Sequence, residues 1–266
     1  MDLASLRAAL GPDVKLVWIE PPGSVTLEFP DLRGLVRTVR AHAPQATVAL
    51  DNTWGSGIAF DAFDLDPDAS PALGVDLTIH ALTKYPSGGA DVMMGAVVTR
   101  SQALHDQLAL SHCRLGLGVG PNDVELVLRG LQTVALRYAA QDAATRRIAQ
   151  WALGRKEFTR VLHPATPGSP GHEHWAAQCR AAASLLTLVF DPSIAPDRID
   201  RFVDDLRLFG IGWSWAGPMS LAVPYRPDSG RVGPYASTLV RLSIGLEDPD
   251  DLIRDLEQAL ARLDRA

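Results

Sequence analysis

The first ninety residues alternate short apolar runs with helix-length amphipathic segments, and that alternation leaves few folds open. Residues 15–19 (KLVWI), 48–50 (VAL) and 75–79 (VDLTI) are short apolar runs. Such runs, separated by helices, are the pattern of a parallel sheet covered on both faces. Residues 2–10 place Leu3, Leu6 and Leu10 on one helical face and stop at Gly11-Pro12. Residues 31–43 carry Leu32, Leu35, Val36 and Val39 at helical spacing and close at Pro44. Glu20-Pro21-Pro22-Gly23 ends the first strand as a loop. Residues 95–99 form a fourth run, expected to be antiparallel, reached through the Gly88-Gly89 turn. The expected class is α/β.

From Asn122, read as a helix cap, the texture changes. Helical sequence extends to Leu153, followed by a loop rich in Pro, Gly and His over 163–174. Strands are expected at 185–190 and 239–244, and helices at 199–208 and 249–263. This half reads as a smaller α+β domain, giving a division into residues 1–132 and 133–266.

Composition narrows the function. The net charge of −6 carries no general basic footprint, so no nucleic-acid partner is expected. No run of 18 apolar residues exists, so no membrane span is expected. The start of the sequence lacks a basic segment followed by an apolar core, so no leader is expected. Cys113 and Cys179 cannot build a disulfide framework and read as structural; a reducing, cytoplasmic setting fits them. His163, His172 and His174 are too loosely spaced for a metal site and read as a surface loop, so no metal is expected. Gly116-Leu117-Gly118-Val119-Gly120 lacks the dinucleotide fingerprint and reads as a flexible loop.

The basic residues are 22 arginines and only three lysines, Lys15, Lys84 and Lys156. A lysine amine can lose its proton and attack a carbonyl, which a guanidinium cannot. Lys84 follows the third strand, and Asp51 ends the second. Ligands of parallel α/β sheets bind beyond such strand ends. On spacing alone the two residues fit an ion pair, or a pyridoxal phosphate site with lysine on the aldehyde and aspartate at the pyridine nitrogen. Taken singly, Arg241 fits a buried structural arginine, Trp215 fits simple core, and Thr83 fits a strand end.

The ordered set of motifs resembles the Cys/Met-metabolism enzymes that use pyridoxal phosphate. It comprises Asp51-Asn52-Thr53-Trp54, then Thr83-Lys84-Tyr85 with Gly88 and Asp91, then Arg129-Gly130-Leu131, and finally residues 241–248 (RLSIGLED). Pro22-Gly23-Ser24, residues 51–57, Gly171-His172-Glu173 with Trp175, and Ser214-Trp215 are similar to its β-lyase subgroup. The resemblance covers nearly the whole sequence. It implies an aspartate-aminotransferase-like fold with a shortened large domain, and pyridoxal 5'-phosphate as cofactor. It implies Lys84 as Schiff-base lysine and proton carrier, with Asp51 at the ring nitrogen and Thr83 at the phosphate. Arg241 would hold the substrate carboxylate, and Ser214 and Trp215 would line the substrate side. The implied reaction is β-elimination of cystathionine to homocysteine, pyruvate and ammonia, within methionine biosynthesis. The implied assembly is a homotetramer built as a dimer of dimers. A sister γ-synthase, γ-lyase or cysteine-conjugate lyase, and a non-catalytic remnant, are the alternatives.

Three departures accompany the resemblance. Ala81 stands where many members carry a phosphate-binding serine. Gly88-Gly89-Ala90-Asp91 replaces a pattern with histidine and serine after the first glycine. The family's earlier segment, with its phosphate cup, stacking tyrosine and tyrosine–arginine pair, has no counterpart in these 266 residues. The expectation is a fragment or a natural short form, holding the cofactor poorly and exposing sheet edge and apolar helix faces.

Overall fold

The computed structural model describes residues 2–263. Asp2 caps α1 (Leu3–Ala9), its carboxylate accepting from the N–H groups of Ala4 and Ser5. β1 (Leu16–Ile19), α2 (Leu32–His42) and β2 (Thr47–Asp51) then form a strand–helix–strand unit with parallel strands, Ile19 beside Leu50. Asp31 caps α2 through Gly34, and Leu32, Leu35, Val36 and Val39 bury one face of the helix in the core shared with Val48 and Leu50.

β3 (Leu77–Ala81) runs parallel to β2, and β4 (Gly95–Thr99) runs antiparallel to β3, giving the order β1-β2-β3-β4. The antiparallel fourth strand agrees with the sequence expectation. Residues 52–76 join β2 to β3 without a helix. That link sends Trp54, Phe60, Leu65, Leu73 and Val75 into the core instead. Arg40 grips Asp76 through two contacts of 3.0 Å, and Asp76 accepts from the Val48 N–H at 2.6 Å. These bonds tie the entrance of β3 to α2 and β2.

α3 (Gln102–Leu115) and α4 (Pro121–Leu131) follow. α3 buries no residue, and α4 buries Val127 alone. Asn122 is not the cap of α4: Gly120 holds that place, with Pro121 in the first turn, where its missing N–H costs nothing. The long α5 (Val134–Leu153) buries Tyr138, Gln141, Thr145 and Ile148 among others.

The second sheet contains β5 (Phe158–Leu162), β6 (Leu185–Phe190), β7 (Gly210–Ile211), β8 (Leu221–Tyr225) and β9 (Leu239–Ser243), in the order β5-β6-β9-β8-β7. α6 (His172–Gln178), α7 (Pro196–Asp204) and α8 (Pro249–Leu263) complete the chain. α8 packs Leu252, Leu256 and Leu260 against this sheet's core. β6 and β9 are buried at every position, Thr187 of β6 and Arg241 and Ser243 of β9 included.

Three sequence expectations need correction. The stretch 163–174 is not wholly a surface loop: His163 is 1% exposed and α6 begins at His172. The loop folds inward because the His163 N–H donates to the Ser169 hydroxyl at 2.9 Å, and the His172 ring stacks on Trp175. Cys113 is exposed on α3, so it has no packing role, whereas Cys179 is partly buried. The helix expected over 199–208 starts three residues earlier and ends at Asp204. No helix among the described residues is long and apolar enough to cross a membrane.

Candidate active site

β2 and β3 end side by side, with Asp51 opposite Ile79. Alternation along the strands puts Asp51 and Ala81 on one face of the sheet and His80 on the other. Beyond Ala81 the chain turns, and Lys84 emerges over the same end. Glu20, Ser24, Asp51, Thr53, Trp54, Ala81, Lys84 and Trp215 are among the residues lining a cavity of ≈ 210 Å³ there. The structure therefore brings Asp51, Lys84 and Trp215 together.

Asp51 and Lys84 form no salt bridge. The Lys84 Nζ donates instead to the Ser214 hydroxyl at 2.7 Å and lies 5.3 Å from the Trp215 ring centroid. Burial, and then the positive charge of Arg241, hold the Lys84 amine below the usual lysine range. A lowered amine spends more time unprotonated, which is the form that attacks an aldehyde or accepts a proton. Asp51 Oδ1 accepts from the Thr53 N–H at 2.9 Å, fixing the carboxylate at the strand end.

The turn that carries Lys84 is tightly held. Tyr85 is fully buried; its hydroxyl meets the Ser184 hydroxyl at 2.8 Å and accepts from the Ser184 N–H at 2.9 Å. Those bonds tie the lysine's turn to the entrance of β6. Behind the turn, Arg137 donates to the carbonyls of Tyr85 and Gly130, each at 2.7 Å. Gly130 allows α4 to approach: a Cβ there would stand 2.2 Å from the Pro86 carbonyl oxygen and 2.3 Å from that of Ser87. This gives the Arg129-Gly130-Leu131 motif a packing reason.

Arg241 enters from β9. It is 3% exposed, donating to the Ser24 carbonyl at 3.1 Å and the Trp213 carbonyl at 2.6 Å, while its Nε has no partner among the described residues. Buried charged donors without partners are costly and therefore uncommon. Trp54 Nε1, on the cavity wall, is a second buried donor without a partner. Thr83 sits in the turn immediately before Lys84, and its carbonyl accepts from the Ser87 hydroxyl at 3.0 Å; its side chain is not part of the cavity wall. Ser214 and Arg241 likewise stand behind the wall, Ser214 acting on the cavity through Lys84.

The donor set fits the ring end of pyridoxal phosphate: an amine of lowered basicity and a fixed carboxylate converge on one cavity. The phosphate end is thinner, since Ala81 on the wall offers no hydroxyl. Sequence reasoning passed over Glu20, which reads as the start of a loop yet lies on the wall beside Asp51. Its position one residue past a strand end was the available signal. Sequence reasoning also left the backbone carbonyls of Ser24 and Trp213 unassigned, because carbonyl acceptors have no signature in residue type.

Comparison with known proteins places this geometry. A family model described as Cys/Met metabolism PLP-dependent enzyme matches residues 1–261. A cystathionine beta-lyase of Escherichia coli (strain K12) is 34% identical over 98% of this chain and 65% of its own length. A cystathionine beta-lyase of Bordetella avium is 37% identical over 98% of this chain and 63% of its own length. The solved structure of a cystathionine gamma-lyase from Lactobacillus plantarum, complexed with L-serine, superposes with a TM-score of 0.86 at 26% identity. That match covers 99% of this chain and 68% of the other. The likeness bears out the α/β pyridoxal-phosphate-enzyme fold expected from the sequence. The chain spans about 65% of the length of the curated relatives it matches.

Proposed function

We propose a carbon–sulfur β-lyase reaction on cystathionine for this chain, starting from the fact that it belongs to the Cys/Met-metabolism PLP-dependent enzyme family. The observation that carries the proposal is the Lys84 amine, lowered in basicity, hydrogen-bonded to Ser214 and facing the cavity that Asp51 also lines. When bound, pyridoxal phosphate supplies an electron sink for the pair released at the substrate's Cα.

The chain's own residues then have separable tasks. Lys84 is the residue that would hold the cofactor's aldehyde, and its amine would carry the substrate's Cα proton. Ser214 aims the amine, and Trp215 covers it against water. Asp51 would pair with the ring nitrogen, with the Thr53 N–H fixing the carboxylate's orientation. Arg241 offers its free Nε to the substrate carboxylate, while Ser24 and Trp213 hold the guanidinium in register. Thr83 precedes Lys84 in the same turn and would serve the phosphate from behind the cavity wall. Loss of the Cβ–Sγ bond would release homocysteine, leaving pyruvate and ammonia after hydrolysis. Residues 1–132 would supply the cofactor side and 133–266 the substrate side. The partner we assign is a second copy of this chain, read out by light scattering.

The cystathionine beta-lyase relatives favour β-elimination; the gamma-lyase likeness supports γ-elimination as the second reading. Incubation with pyridoxal phosphate, borohydride reduction and peptide mass mapping tests the site. An adduct confined to Lys84 supports it, and one spread over Lys15 and Lys156, or none, refutes it. Product analysis then separates pyruvate with homocysteine from 2-oxobutyrate with cysteine. With Ala81 in place of a hydroxyl donor, cofactor retention is expected to be weak. Tight stoichiometric binding in a spectroscopic titration would refute that expectation.

A further inference from the structure

Arg241 on β9 has Val223 of β8 as its direct neighbour, and Tyr225 stands two residues further along β8 on the same face. The Tyr225 ring centroid lies 5.6 Å from the Arg241 guanidinium carbon. Attraction between a cation and a ring face is strongest where water is excluded, and both residues are 3% exposed. The same ring makes a T-shaped contact with Trp213, the centroids 5.5 Å apart. Trp213 supplies the carbonyl that accepts from Arg241 at 2.6 Å, and the chain runs on directly into Ser214 and Trp215, which hold the Lys84 amine. Trp213 is itself 64% exposed, so Tyr225 is the buried ring that anchors it. One buried side chain thus packs against both the guanidinium and the segment that aims the lysine.

We infer that Tyr225 is a positioning residue for substrate binding: its ring holds the Arg241 guanidinium in place relative to Lys84, so that one α-amino acid can meet both. This rests on the roles of Arg241 and Lys84 proposed above and adds to them a residue outside the set Lys84, Asp51, Thr83, Arg241, Ser214 and Trp215. The carbonyls of Ser24 and Trp213 restrain the two terminal nitrogens of Arg241, and neither restrains its Nε. Attraction to the ring face acts on the guanidinium as a whole, and so keeps the Nε aimed while leaving its N–H unspent for a carboxylate. Through Trp213 the same ring steadies Ser214 and Trp215, which fixes the other end of the span.

The test keeps the ring and changes its charge. Tyr225→Phe removes only the hydroxyl. A series of phenylalanines with increasing numbers of ring fluorines, placed at position 225 by nonsense suppression, then drains negative charge from the ring face with little change in size. Because shape is kept, folding does not decide the result. The first readout needs no cofactor: exchange of the Arg241 Nε–H with solvent deuterium, followed by NMR. Tyr225→Phe is expected to stay within about threefold of the parent rate, and the most fluorinated ring to exchange about tenfold faster. A rate indifferent to fluorine is what a merely space-filling ring would give, and would overturn the proposal. The second readout is cystathionine turnover with pyridoxal phosphate added. KM is expected to climb about tenfold along the series while kcat changes less than about threefold. A constant KM in chains whose Arg241 exchange does respond to fluorine would overturn the role in substrate binding. Absence of turnover in the parent chain would count against the lyase reading alone, since the cofactor-free exchange decides by itself whether Tyr225 holds Arg241.

Discussion

Replacing Gly130 by alanine sets two effects of opposite sign against each other. Gly130 lies in the last turn of α4, and within a helix alanine is favoured over glycine by about 1 kcal/mol. Against this, the new Cβ would stand 2.2 Å from the Pro86 carbonyl oxygen and 2.3 Å from that of Ser87. Both obstacles are backbone, so neither can swing aside as a side chain would. Relief requires the turn 83–87 to retreat by roughly 1 Å, and overpacking of this kind costs about 1–3 kcal/mol. Arg137 adds to the loss, because its two 2.7 Å bonds span the same gap. The expected net effect is destabilisation by about 1–2 kcal/mol. The retreat also displaces Lys84 relative to Ser214 and weakens the 2.7 Å bond between them. The assay pairs urea unfolding, followed by tryptophan fluorescence, with the yield of Lys84 adduct. Gly118→Ala serves as control, since nothing lies within 4 Å of the added methyl group. A Gly130→Ala chain as stable as the parent, with full Lys84 labelling, would refute the reasoning.

Further outcomes follow from the same site and its supports. Lys84 is expected to react with pyridoxal phosphate at a pH where ordinary lysines remain charged, and Arg241→Gln should raise that pH, because removing a neighbouring positive charge favours the ammonium form; mapping adduct yield against pH checks both. A lysine whose folded-state value is lowered binds fewer protons folded than unfolded, so its unfavourable contribution fades as pH rises from the folded value towards 10.5. Lys84→Met is therefore expected to raise the melting temperature at neutral pH and to reduce the gain in stability at alkaline pH. Asp255 is 5% exposed and accepts from the N–H groups of Arg207 and Leu208, so Asp255→Ala should cost about 2–3 kcal/mol in urea unfolding by leaving buried donors unmet.

The legible parts of the fold were those in which one residue pattern answered to one kind of packing. β2 and β6 announced themselves as largely apolar runs because their central positions are covered on both faces, and β9 was legible although Arg241 and Ser243 interrupt its apolar residues. β8 was not, since Pro224 interrupts it; the proline is tolerated because β7 pairs only with Leu221 and Ala222 and stops short of it. β5 was hidden by exposed Thr159 and Arg160 and by a register shift between Phe158 and Arg160. Within the site, Lys84 and Asp51 could be read because strand ends are where ligands bind. The ion-pair alternative for those two residues could be removed only by coordinates, which give the amine to Ser214. Arg241 is both things that sequence suggested: its terminal nitrogens serve two backbone carbonyls, and its Nε is left over.

α3 has a consequence of a different kind. A helix of 14 residues with none of them buried keeps its shape through its own backbone bonds, its Ser101 cap and the left-handed Gly116 at its end. Such bonds open at a free energy set by the helix and its packing on β4, not by the buried cores of the sheets. Amide protons of 102–115 should therefore exchange with solvent deuterium under conditions where β6 and β9 are fully protected. A protease cut in that stretch would leave both sheets standing, so a clipped chain would still carry Lys84 beside Ser214.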